Sequence, residues 1–86
     1  MSTKMTKTQA MQIYVKCFPG DSDAASKDDP RRATIACEIR EVCKAQTVKD
    51  AAGVIAWWSN WGSDQELHGA IRRIRNAARK MGCLDS

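Results

Sequence analysis

The apolar residues in the last quarter of the chain recur at steps of three and four, which is typical of an amphipathic helix. This stripe consists of Leu67, Ala70, Ile71, Ile74, Ala77, Ala78 and Met81. Ser63 and Glu66 precede it in the S-x-x-E pattern of a capping box, and Gly82 follows it, where helices commonly end. A helix with one continuous apolar face must bury that face, so the segment predicts a core of packed helices.

A second helix is predicted to begin at Asp29 and Pro30. Aspartate is a good helix cap and proline fits the first helical position, so this pair is a strong start signal. We expect the helix to extend to about Ala45. Its apolar stripe consists of Ile35, Ala36, Ile39, Val42 and Cys43.

A third helix is predicted to begin at Thr47, whose hydroxyl can cap the backbone amide of Asp50. Residues 51–58 contain no charged or hydrogen-bonding side chain apart from the indoles. A helix that is apolar on all sides is usually surrounded by other elements, so we expect this one at the centre of the fold. Gly53 is expected to let a neighbouring helix approach closely, and residues 60–63 are expected to break the helix.

The first segment, from about Thr6 to Phe18, fits two interpretations. Apolar side chains fall on one helical face at Met11, Tyr14, Val15 and Phe18. Apolar residues also alternate with polar ones, as in a strand, at Met11, Ile13, Val15 and Cys17. Because we find no second β-rich segment to pair with a strand, we expect a helix over residues 9–18 and keep the strand as the alternative. Thr6 or Thr8 can cap this helix, and the Pro-Gly pair at 19–20 can stop it.

These segments together predict an all-α fold, a small single-domain bundle of about four helices. We assign residues 1–86 to one domain with an ordered core over about 6–82, because a chain of 86 residues accommodates one core. No apolar run approaches the ~20 residues of a membrane span, and the N-terminus lacks a signal-peptide pattern. We therefore expect a cytoplasmic protein with no membrane partner.

Residues suited to metal or catalytic chemistry are few and scattered. The cysteines are Cys17, Cys37, Cys43 and Cys83, and none forms a C-x-x-C pair. We expect free thiols that act as small apolar groups, with a disulfide between Cys17 and Cys83 as the alternative under oxidising conditions. His68 has no partner placed to form a catalytic unit, and residues 21–32 fail the spacing of a calcium loop. The sequence thus predicts no enzyme, no metal and no cofactor.

The positive charge of the chain is concentrated in the last helix. The net charge is +4, whereas residues 71–80 alone carry +5 and the remainder sums to −1. The basic cluster consists of Arg72, Arg73, Arg75, Arg79 and Lys80. The arginines at 72, 75 and 79 are predicted to share one face, with the other two cations beside it. Such a face can bind phosphates or an acidic protein, and it can also simply face water near the helix C-terminus.

Three tryptophans lie within five residues, and one small core can hardly bury all of them. Trp58 continues an apolar helical face and is expected in the core. Trp57 and Trp61 are four residues apart and are predicted to share another face. We expect at least one of them at an interface, since tryptophan and arginine dominate binding hot spots. The alternative is that all three close one end of the bundle.

The leading functional prediction is a non-enzymatic protein-binding module that docks on an acidic surface or a multi-subunit complex. The predicted partner-binding residues are Trp57, Trp61, Arg72, Arg73, Arg75, Arg79 and Lys80. Small chains without motifs are typical of phage and mobile-element accessory proteins and inhibitors, including the anti-CRISPR class. The alternatives are a nucleic-acid binder that uses the basic cluster, and a homo-oligomer joined through its tryptophans. A helix-turn-helix reader is rejected, because residues 48–58 offer almost no side chain for base edges.

Overall fold

The structure is a computed structural model that describes residues 5–21, 26, 28–58 and 61–84. It contains four α-helices: α1 (Lys7–Cys17), α2 (Arg32–Lys44), α3 (Val48–Ile55) and α4 (Asp64–Lys80). A 3-10 turn over Ala56–Trp58 continues α3. No described residue lies in a β-strand, so the all-α prediction is confirmed and the strand alternative for the first segment is wrong.

The first helix begins with a complete capping box. The Gln9 amide donates to the Thr6 hydroxyl at 3.1 Å, and the Thr6 amide donates to the Gln9 side-chain oxygen at 3.0 Å. Two otherwise unsatisfied amides are thereby paired, which favours a helix here and selects Thr6 over Thr8 as the cap. Ile13, which the predicted helical face omitted, is fully buried.

The second helix begins later than predicted, at Arg32. Asp29 accepts a hydrogen bond from the Arg31 amide at 2.8 Å, so its carboxylate stabilises the turn before the helix instead of capping the helix itself. The helix ends at Lys44, and the backbone becomes extended at Ala45. The predicted apolar stripe of this helix is buried as a whole.

The third helix is not central, which corrects the prediction. Thr47 caps it as expected, accepting from the Asp50 amide at 3.1 Å. Only Ala51 and Ile55 are buried, however, and Gly53 is exposed with open space around it. Instead, α2 and α4 each pack against all three other helices. Small side chains expose little apolar surface, so this segment tolerates a position at the side of the bundle.

The fourth helix matches its predicted boundaries closely. The Glu66 amide donates to the Ser63 hydroxyl at 3.3 Å, while the Glu66 carboxylate accepts from the Gly62 amide at 2.9 Å. Gly82 follows with a φ of +75°, a conformation that glycine adopts without strain. The predicted stripe is buried except for Met81, which is half-buried. Asn60, where the preceding break was predicted to begin, lies outside the described residues.

One hydrophobic core joins all four helices. Its largest fully buried side chains are Ile13, Val42, Ile39, Ile55, Ile71 and Ile74. Leu67 and Met11 extend the same cluster toward α4 and α1. Within the described part of the chain, none of the helices combines the length and apolar character that a membrane span requires.

Candidate functional site

The two tryptophans predicted to share a face are separated by the structure. Because α3 ends at Ile55, the four-residue spacing of Trp57 and Trp61 no longer corresponds to one turn of helix. The Trp61 indole is half-buried, packs on the core and donates from Nε1 to the Ile55 carbonyl at 3.2 Å. Trp57 is 65% exposed, and no other large hydrophobic side chain among the described residues is as open to solvent.

Trp58 belongs to an aromatic cluster at one end of the bundle. Its ring meets Tyr14 edge-on at a centroid distance of 5.4 Å and Phe18 at 5.9 Å. Tyr14 and Phe18 lie 5.1 Å apart. These are favourable aromatic geometries, and they fix the 3-10 turn against the C-terminal end of α1. The prediction that Trp58 packs on the core agrees with this position, although its side chain is half-buried.

A single carboxylate of α2 holds two indoles. The Trp57 Nε1 donates to Glu38 Oε2 at 2.6 Å, and the Trp58 Nε1 donates to the same oxygen at 3.3 Å. Hydrogen bonds to an ionised acceptor are among the stronger ones in proteins. The exposed Trp57 ring is therefore held in one orientation while it faces solvent.

Beside Trp57 lies a cavity of about 310 Å³, which we name the aromatic groove. Its lining includes Tyr14, Asp21, Arg31, Ile35, Trp57 and Trp58. Aromatic and aliphatic surface forms most of its walls, and its charged lining residues are Asp21 and Arg31. The groove thus combines an apolar wall with a few fixed polar groups, the usual composition of a binding site.

The polar end of the aromatic groove is a network built on Arg31. Its guanidinium donates to Asp29 at 2.9 and 3.1 Å and to Asp21 at 3.2 Å, and the Tyr14 hydroxyl donates to Asp21 at 2.6 Å. Hydrogen bonds from Arg31 lower the pKa of Asp29. Burial, followed by the bond to Asp21, raises the pKa of Tyr14, so the phenol stays protonated at neutral pH.

This network gives the segment over residues 20–29 a structural role. Asp21 and Asp29, at its two ends, anchor Arg31, while residues 22–25 and 27 lie outside the described part. Sequence reasoning predicted no role for Arg31. Asp21 and Asp29, which both precede it in the sequence, were the available signal, but their convergence on Arg31 depends on the tertiary fold.

The basic cluster does not form one continuous solvent-facing surface. Arg75 turns back onto the end of α2, where its Nη2 donates to the Ala45 carbonyl at 2.7 Å. Longer bonds of 3.4 Å reach the carbonyls of Val42 and Thr47. The Arg75 Nε is buried and has no hydrogen-bond partner among the described residues. Arg75 therefore acts within the fold, whereas Arg72 remains exposed.

Two cations of the basic cluster join a third from another helix. Arg73 and Lys80 on α4 line a cavity of about 460 Å³ together with Lys16, Cys17 and Asn76. We name this cavity the basic groove. Sequence reasoning missed Lys16, because nothing in its local pattern indicates that the end of α1 lies beside α4.

All four cysteines are described and carry free thiols, including both members of the alternative disulfide. Cys37 is exposed, Cys17 is half-buried, and Cys43 and Cys83 are buried. Burial raises the pKa of Cys43 to about 11. Among the described residues, no group of three histidine, cysteine or acidic side chains is placed to hold a metal ion.

Both grooves adjoin the C-terminal end of α1 but differ in chemistry, since aromatic rings wall one and cations line the other. No protein-family model matches the chain, and no curated protein or solved structure matches it significantly. Function is therefore inferred from the geometry and charge of the two grooves.

Proposed function

We propose that this protein is a non-enzymatic protein-binding module and that the aromatic groove is its docking site. The observation that carries the proposal is Trp57, an indole that is 65% exposed and yet fixed by Glu38. Exposed tryptophans with neighbouring arginines are typical centres of protein interfaces. A side chain that is already oriented loses little conformational entropy when a partner binds it.

The charges around the groove indicate the chemistry of the partner. Among the described residues, the hydrogen bonds at its rim involve the carboxylates of Asp21, Asp29 and Glu38 and the guanidinium of Arg31. Local negative charge repels an acidic segment and attracts a basic one. We therefore propose a protein segment that inserts an apolar side chain beside Trp57 and carries basic residues next to it, in place of the acidic surface expected from the sequence.

The size of the groove supports a side-chain anchor. Its volume of about 310 Å³ is at the lower end of the roughly 300–1,000 Å³ found for ligand pockets. One or two inserted side chains suit such a volume better than a large cofactor. The protonated Tyr14 hydroxyl is already bonded to Asp21, so it supports the structure of the groove and is not poised as a nucleophile.

The biological setting of this binding remains a prediction from size and composition. An inhibitor or accessory protein of a phage or mobile element, including the anti-CRISPR class, fits a small protein-binding module. A second copy of the chain is the competing occupant of the groove. Light scattering over a concentration series separates these cases, because self-association through Trp57 predicts a dimer that Trp57→Ala abolishes.

Affinity capture from a nuclease-treated lysate of the encoding organism tests the proposal. The baits are the wild-type chain, Trp57→Ala, and Lys49→Ala as a matched control at an exposed position of α3. We expect a protein that is retained by the wild type and by Lys49→Ala but lost with Trp57→Ala. The binding segment of this captured protein should contain basic and apolar residues. Equal retention by Trp57→Ala, with its helical circular dichroism intact, would falsify the proposal.

A further inference from the structure

Three cations from two helices line the basic groove. Lys16 comes from the last turn of α1, and Arg73 and Lys80 come from α4. Arg73 and Lys80 are seven residues apart, which is two helical turns and about 10 Å along the helix axis. They therefore lie on the same side of α4 at two levels of the groove, with Asn76 between them.

No described acidic residue lines the basic groove or forms an ion pair with these three cations. The contrast is Arg31, which two aspartates surround at the other groove. Like charges held in one concave surface reinforce their positive potential and attract anions. The basic groove is thus an anion-attracting surface formed by the tertiary fold.

The uncharged groups of the groove also suit an anion. Asn76 accepts a hydrogen bond from Arg79 Nη1 at 2.9 Å through its side-chain oxygen, so its amide nitrogen remains to donate. Burial raises the pKa of Cys17 despite the opposing effect of Arg73 and Lys16, so this thiol stays neutral and adds no negative charge. The groove offers hydrogen-bond donors to a ligand with several acceptor oxygens.

We propose that the basic groove binds consecutive phosphates of a nucleic-acid strand through Lys16, Arg73 and Lys80. A strand in a duplex presents one phosphate every ~3.4 Å along the axis, so the ~10 Å span of the groove meets more than one. No aromatic side chain lines the described groove, so it offers no platform for base stacking. Binding is therefore through the backbone and independent of base sequence.

A nucleic acid fits these observations better than an acidic protein does. Exposed single cations bind an isolated anion weakly, and affinity grows when several phosphates release counterions together. The regular line of charge on a strand matches cations placed at two levels of one helix. Carboxylates on a protein surface have no such repeat.

The test measures fluorescence anisotropy of labelled oligonucleotides of about 20 nucleotides, single-stranded and duplex, at about 50 and about 200 mM salt. The groove variant is Lys16→Gln with Lys80→Gln. The matched control is Lys44→Gln with Lys49→Gln, which removes the same charge from exposed positions outside the groove. We expect the wild type to bind both probes and the groove variant to bind them more weakly. Adding Arg73→Gln to the groove variant should weaken binding further.

The salt dependence identifies the contacts. For a single strand, each lost phosphate contact makes the slope of log affinity against log salt less steep by about 0.7. The loss of affinity between the two salt concentrations then becomes roughly threefold smaller for each lost contact. The groove variant is expected to lose about two contacts, whereas the matched control keeps the wild-type slope. Trp57→Ala is also expected to bind oligonucleotides normally, which separates this activity from protein binding at the aromatic groove.

Three results would overturn the inference. The first is no oligonucleotide binding at the lower salt concentration. The second is an equal loss of slope in the groove variant and the matched control, which would indicate general charge attraction. The third is displacement of the oligonucleotide by polyglutamate or inorganic phosphate at equal charge concentration, which would assign the groove to acidic proteins or to free anions.

Discussion

Arg75 Nη2 donates a 2.7 Å hydrogen bond to the carbonyl oxygen of Ala45. The two residues are thirty positions apart, one on the last helix and the other at the point where α2 ends. The last carbonyls of a helix have no partner within the helix, and a cation that binds them also interacts favourably with the helix dipole. The contact removes Arg75 from the surface predicted to bind a partner and gives it a structural role.

Replacing Arg75 should therefore destabilise the fold. We expect Arg75→Gln to lower the free energy of unfolding by about 1.5–3 kcal/mol, the range for hydrogen bonds to charged groups. Arg72→Gln, at an exposed position of the same helix, should change it by less than about 0.5 kcal/mol. Urea unfolding followed by circular dichroism measures both. Equal effects of the two substitutions on the free energy of unfolding would contradict a structural role of Arg75.

The two threonines that could cap α1 should differ in the same assay. Thr6→Ala removes the acceptor of the Gln9 amide and is expected to cost about 1 kcal/mol. Thr8→Ala should be neutral or slightly stabilising, because Thr8 lies exposed in the first turn and alanine has the higher helix propensity. A larger loss with Thr8→Ala than with Thr6→Ala would contradict this assignment.

Thiol labelling of the native protein should follow burial. We expect iodoacetamide to modify the exposed Cys37 first, the half-buried Cys17 more slowly and the buried Cys43 only on unfolding. Peptide mass spectrometry over time gives the order. As a control, all sites should react at similar rates in concentrated guanidinium chloride. Modification of Cys43 in the native protein as fast as Cys37 would contradict the burial of Cys43 in the core.

Burial of Cys43 also predicts an alkaline loss of stability. The unfolded thiol ionises near its ordinary pKa of 9.0, whereas the folded thiol keeps its proton until about pH 11. Between these values the folded state binds more protons, so the free energy of unfolding falls as pH rises. The decline from pH 8 to pH 10 should be shallower in Cys43→Ala but not absent, since the pKa values of Cys17 and Tyr14 are also raised in the folded state. Identical slopes would exclude Cys43 as the source.

Local patterns predicted the helices and most of their ends. The caps at Thr47 and Ser63 and the stop at Gly82 depend on residues within four positions of each other, so spacing alone reveals them. The position of α3 could not be obtained in this way. Its apolar composition resembles that of a central helix, but its small side chains can be exposed at a small cost in free energy. The centre of the bundle is instead formed by the packing of α2 on α4.

The candidate sites were less predictable, because distant residues build them. Trp57 and Trp61 differ in exposure only because α3 ends at Ile55, a boundary that their spacing does not reveal. Likewise, Lys16 joins Arg73 through the packing of α1 on α4. Sequence reasoning therefore identified the residue types involved in binding but not their grouping.

The central claim is that Trp57 in the aromatic groove anchors a protein partner. Its most direct test is the dissociation constant of the captured and purified partner, measured by calorimetry for the wild type, Trp57→Ala and Lys49→Ala. A hot-spot tryptophan contributes about 2 kcal/mol or more, so we expect Trp57→Ala to weaken binding by roughly thirtyfold or more. Lys49→Ala should bind like the wild type. Equal dissociation constants for Trp57→Ala and the wild type would contradict the claim.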